Sequence, residues 1–218
     1  MSRHKGARYC VEMAGFLDYC RDYWQYLIAL AVALVAAFFI IKKARKAYRA
    51  YYKRYRDEEA RIKRLKELKE RYGEPTAEVI ENADENELLE GLALSYQLKL
   101  QKKENMEAEF ALYSPEKQFV YTLDVFCSSE SASGFFRENG RELTELIVPA
   151  LEYAGLPAEA EQAERLRIMF DERDETTSIN SEVIAAVDSF FGAEGMTERI
   201  KKAAAAKIKY DVNKFKVD

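Results

Sequence analysis

The chain has 218 residues, room for one ordinary domain and an appendage, with 34 Lys and Arg against 38 Asp and Glu. Three cysteines with no CxxC pair exclude a disulfide scaffold, and the single histidine, His4, excludes a histidine-based centre in the body of the chain. The formal charge of −4 hides a strong asymmetry: residues 42–73 hold 14 basic and 5 acidic groups, net +9, residues 74–200 hold 10 and 28, net −18, and residues 201–218 hold 6 and 2, net +4.

Residues 1–23 read as a short N-terminal arm. Its Cys10 and Cys20 are either two small buried thiols or a cross-link between copies in an oxidising compartment. Residues 24–41, WQYLIALAVALVAAFFII, have only Gln25 as a strongly polar member. Eighteen residues rising 1.5 Å each span about 27 Å, close to the roughly 30 Å hydrocarbon core of a bilayer. That predicts a transmembrane helix, with Tyr23, Trp24 and Tyr26 at one membrane interface and Lys42 and Lys43 at the other. No small-residue cleavage site precedes the basic run, so a removable signal peptide is not expected. Eight cations between Lys42 and Arg56, against four before the apolar run, predict a single-pass protein of the cell membrane with its C-terminal domain in the cytoplasm. Membrane lipid is then a partner of both the anchor and the basic segment.

Residues 42–73 form a basic helical stalk, since Ala44 to Tyr72 contains no Pro or Gly and is rich in Ala, Arg, Lys, Glu and Leu. Tyr48, Tyr52, Tyr55, Ile62, Leu65 and Tyr72 recur at three- and four-residue steps and draw one apolar stripe. The stripe fits a short coiled-coil seam, interrupted near Glu58 and Lys69, or a face docked on the membrane or the domain. Gly73 ends the helix and Pro75 opens the next segment.

Residues 74–218 read as an acidic all-α domain, a bundle of about six helices. Asp84 and Glu87 make a capping box ahead of Leu88, Leu89, Leu92, Tyr96 and Leu100. Ser114-Pro115-Glu116 starts a second helix. Asn139-Gly140 closes a short one holding Phe135 and Phe136. Leu143 to Ala154 follows, bent or interrupted at Pro149 and closed by Gly155. Pro157 opens a helix through Phe170, 171–177 is a polar loop, and helices follow from Ser181 to Phe191 and from Thr197 to about Phe215.

The stretches YSPEKQFVYTLDVF, SASGFFRENG and ALEYAGLPAEA resemble the C-terminal domain of the bacterial DNA-mimic protein family, most strongly over residues 113–215. Gly134, Phe135, Phe136, Asn139 and Gly140 stand at the positions of the family's core motif, with Ser131-Ala132-Ser133 in place of its Asn-Gly. Ala150, Leu151, Ala154 and Gly155 match a later turn. The resemblance implies a helical fold and a DNA-mimic-like regulatory role. From the residues alone, the paired phenylalanines between turn formers are core anchors.

No metal-ligand spacing, phosphate loop or nucleophile elbow occurs, so an enzyme, a cofactor and a metal are not expected. The expected function is a non-enzymatic interaction module binding a basic protein through carboxylates, with Asp171, Glu172, Asp174 and Glu175 as the first candidates. Acidic groups also fall in a run of Glu78, Glu81, Asp84, Glu85 and Glu87, and the runs Glu104, Glu107, Glu109 and Glu159, Glu161, Glu164 are equal alternatives to the first candidates. Direct nucleic-acid binding is not expected. Imitation of DNA needs about 100 Å² per charge, whereas a net −14 over residues 74–218 on roughly 7,500 Å² gives about 540 Å² per charge. The competing readings are a membrane scaffold that forms a homo-oligomer through the stalk, and an immunity-type protein that neutralises a toxin.

Overall fold

The computed structural model describes residues 23–171 and 180–216, apart from the side chains at 25, 27, 50 and 171. Every regular element among the described residues is helical. A long helix α1 (Trp24–Tyr72) is followed by α2 (Ala77–Glu81), α3 (Glu85–Leu100), α4 (Met106–Ala111), α5 (Pro115–Ser128) and α6 (Ala132–Glu138). Then come α7 (Arg141–Thr144), α8 (Ile147–Tyr153), α9 (Pro157–Asp171), α10 (Ser181–Phe191), α11 (Met196–Tyr210) and a 3-10 turn (Val212–Lys214). Two compact units divide the chain between Ile62 and Lys63.

In the first unit, α1 runs unbroken with its described side chains exposed. Among the described residues no helix is long and apolar enough to cross a membrane. This overturns the expected transmembrane helix over 24–41, the single-pass location in the cell membrane with a cytoplasmic domain, and the membrane-interface roles of Tyr23, Trp24, Tyr26, Lys42 and Lys43. Toward the C-terminus the helix passes directly from Ile41 into Lys42, Lys43 and Arg45, so any apolar span extended that way takes in charged side chains.

The second unit starts within α1, ahead of the helix end at Gly73. Leu68 and Tyr72 are buried in its core. Tyr72 lies against Gly91 of α3, where any Cβ would enter the ring. Arg64 and Arg71 pair with Glu90 and Glu87 of α3, each at 2.6 Å. Glu87 is thereby drawn away from the expected capping box, in which only Asp84 takes part, accepting from the Asn86 N–H at 2.8 Å.

Within the bundle, α5 packs between α3 and α8, α9 covers α8, and α11 lies along α3. Among the described residues ten helices run from Ala77 onward, where about six were expected. The extra pieces are one or two turns long, and side chains satisfy the orphan N–H groups of two of them: Thr76 caps α2 and Asn105 caps α4. The helix expected over Leu143–Ala154 is broken at Glu145 and Leu146, between α7 and α8, where the Pro149 ring would crowd the Glu145 carbonyl of a continuous helix. Pro149 is the third residue of α8, where a missing N–H costs no intrahelical bond.

Candidate interaction surface

Gly134, Phe135, Phe136, Asn139 and Gly140 lie together on α6 and at its C-terminal end, forming one corner of the bundle. Phe135 and Phe136 are buried in the core. Phe135 meets Phe126 edge-on at 5.2 Å between centroids, and Phe136 stacks on Phe170 at 5.6 Å. The Gly134 N–H donates to Oγ of Ser131, the N-cap of α6, at 2.9 Å. The Asn139 amide donates to the Phe135 carbonyl at 2.9 Å, closing the same helix, and Gly140 is the N-cap of α7. Gly155 has φ of +77°, the left-handed region, and ends α8. Its N–H donates to the Glu152 carbonyl, and the Leu156 N–H donates to the Leu151 carbonyl, each at 2.9 Å, which is the Schellman pattern.

Beside this corner lies a cavity of about 410 Å³ lined by Phe136, Asn139, Gly140, Arg141, Thr144, Arg167 and Phe170. Arg167 forms two hydrogen bonds to Glu164, at 2.6 and 2.7 Å, and Arg141 pairs with Glu145 at 3.5 Å. The cationic wall of the cavity is therefore already engaged by carboxylates of the same chain.

The acidic runs differ sharply in what they face. Of the first candidates, Glu172, Asp174 and Glu175 lie outside the described residues, as does the side chain of Asp171 at the end of α9. In the run at 159–164, Glu159 is buried with Arg199 at 3.1 Å, Glu161 pairs with Arg165 at 3.1 Å, and Glu164 is held by Arg167. In the run at 104–109, Glu109 pairs with Lys103 at 3.3 Å, while Glu104 and Glu107 are exposed. The turn joining α2 to α3 is different. Ile80 and Ala83 point into the core, so helical spacing turns Glu78, Glu81, Asp84 and Glu85 outward, and all four are exposed. Among the described residues no Lys or Arg forms a salt bridge with any of them. Lys209 of α11 donates to the Ala83 carbonyl at 2.8 Å, fastening this turn to the bundle.

Several interior polar groups give no signal in the linear chain. Asp188 of α10 accepts from the Ser133 N–H at 2.8 Å and from its hydroxyl at 2.6 Å, capping α6 from a distant helix. The Tyr153 hydroxyl donates to Asp211 at 2.9 Å, and Lys207 and Lys214 approach the same carboxylate at 3.2 and 3.6 Å. These partners hold the Asp211 carboxyl below its usual range, the Tyr153 bond first and the lysines after it. Lys214 also reaches Glu116 at 2.8 Å, so the C-terminal turn is tied to the start of α5. Cys127 is a free thiol, while Cys10, Cys20 and His4 lie outside the described residues. Among the described residues no cluster of three or more His, Cys, Asp or Glu is arranged to hold a metal ion.

The fold and surface thus define an all-helical bundle with four exposed carboxylates around the turn between α2 and α3. No protein-family model matches the chain, and no significant match is found among curated proteins or solved structures.

Proposed function

We propose that the bundle is a non-catalytic protein-interaction module that receives a basic partner on the turn between α2 and α3. The observation that carries this reading is the group of four exposed carboxylates, Glu78, Glu81, Asp84 and Glu85, around one turn, with no salt bridge to any of them among the described residues, whereas the three carboxylates at 159–164 face cations of their own chain. Carboxylates left unpaired on a rigid turn raise the encounter rate with a cationic surface, and the effect is screened by salt.

The test is association of the full chain with the protein it captures from its native extract, followed across a salt series. The rate should fall steeply between about 20 and 300 mM salt, as the Debye length shrinks below about 10 Å. The triple variant Glu78→Gln, Glu81→Gln, Glu85→Gln should associate about tenfold more slowly at low salt with an unchanged melting temperature. A rate independent of salt, or a triple variant as fast as the parent, would sink the reading.

A further inference from the structure

We propose that α1 is the seam of a parallel homodimer, in which two copies of this chain pair in register from Leu30 to Ile62. Three observations point there. The first is continuity, since α1 is a single helix of 49 residues with no break at the border between its apolar and basic parts. The second is register. Counting alternate steps of four and three from Leu30, one heptad position holds Leu34, Ile41, Tyr48, Tyr55 and Ile62. The other runs from Leu30 through two alanines and Tyr51 to Glu58. Between residues 42 and 62, the six seam positions include one charge, Glu58, while the fifteen remaining positions include eleven. Such a segregation over three heptads is the signature of a coiled coil, in which the 3.5-residue repeat is kept facing a partner by supercoiling.

The third is exposed area. The large seam side chains from Leu30 to Ile62 are 47–65% exposed in the single chain. At about 200 Å² for each of the seven, that is about 800 Å², the share one partner contributes to a stable interface. A contiguous apolar surface of this size exceeds what single chains ordinarily leave uncovered.

The arrangement follows from the same residues. A parallel, in-register pair sets the apolar run against itself and the tyrosines against one another. An antiparallel pair centred on Ile28–Ile41 leaves Tyr48 to Ile62 unmatched. In register, Arg54 of one copy faces Glu59 of the other across the flank of the seam. The next such pair, Arg61 with Lys66, is like-charged and marks the end of the seam. Beyond it, Leu68 and Tyr72 are committed to the bundle core.

Two measurements on the full chain test this, in a density-matched non-ionic detergent that keeps the apolar run dispersed. Sedimentation equilibrium should give twice the chain mass. Glu58→Leu, which removes the one charge from the seam, should tighten the dimer about tenfold. The pair Tyr48→Glu with Tyr55→Glu should yield monomers, while the melting of the bundle, read by its near-ultraviolet signal, stays unchanged. With Cys10, Cys20 and Cys127 replaced by serine, Tyr51→Cys should cross-link to itself on oxidation far faster than Lys53→Cys, which faces away from the seam. A chain that stays monomeric at its highest soluble concentration overturns the proposal, as does equal cross-linking at the two positions.

Discussion

Asp124 stands half-buried on α5, and burial is the main reason its carboxyl is pushed up to about 6. Glu90 of α3 adds to the shift and Lys201 of α11 opposes it. In the unfolded chain an aspartate titrates near 3.9, so between about pH 4 and pH 6 the unfolded state releases a proton that the folded state retains. Stability attributable to this group is therefore complete below pH 4 and falls as pH rises through 6. Asp124→Asn should raise the unfolding free energy by about 2 kcal/mol at pH 7.5 and leave it unchanged near pH 3.5. Urea midpoints at the two values check this, and an equal gain at both would mean that packing is the source. One turn along the helix, burial pushes the Cys127 thiol up to about 12, with Asp124 adding to the effect. Such a thiol stays protonated at neutral pH and is a poor nucleophile.

Among the elements, α6 shows best how a short helix is held. Seven residues cannot sustain a helix in water, so its free N–H groups must find partners elsewhere. Ser131 supplies one locally, and Asp188 supplies another from α10, fifty-five residues along the chain. A double-mutant cycle isolates that second contact. Ser133→Ala and Asp188→Asn should each cost about 1–2 kcal/mol, and together clearly less than their sum, because the lost hydrogen bond is shared. Additive losses would show that the two residues act independently. The start of α6 is legible from Ser131 and its stop from Asn139-Gly140. Asp188 is an ordinary polar position on an amphipathic helix until the fold brings it to Ser133.

For the whole molecule, the border at Lys63 makes a direct prediction. A chain beginning at Lys63 should melt within a few degrees of the full-length bundle. One beginning at 74 loses Leu68, Tyr72 and the pairs to Glu87 and Glu90, and should be about 3–5 kcal/mol less stable. Thermal and urea unfolding of the two chains measures the difference. Equal stabilities would show that the end of α1 rests on the bundle without supporting it. Linear reading places the division at Gly73 because that is where helix-forming residues stop. The fold places it ten residues earlier because Leu68 and Tyr72 are buried in the bundle core and Arg64 and Arg71 pair with α3.

Local chemistry alone settles the all-helical class and most helix ends. Pro115, Pro157, Gly155 and Gly192 act on the backbone within a few residues of themselves, so their effect is legible without the fold. The lengths of the short helices are not, because pieces as brief as α7 exist only where packing holds them. Nor is the identity of the free carboxylates. Composition counts Glu159, Glu161 and Glu164 on equal terms with Glu78, Glu81 and Glu85. Arg165 and Arg167 stand four and three residues from Glu161 and Glu164, a helical spacing legible in the chain, but only the fold brings Arg199 to the buried Glu159 and leaves the turn between α2 and α3 facing water. Charge is a property of residues, but whether it is neutralised depends on distances that pairs remote in sequence acquire on folding.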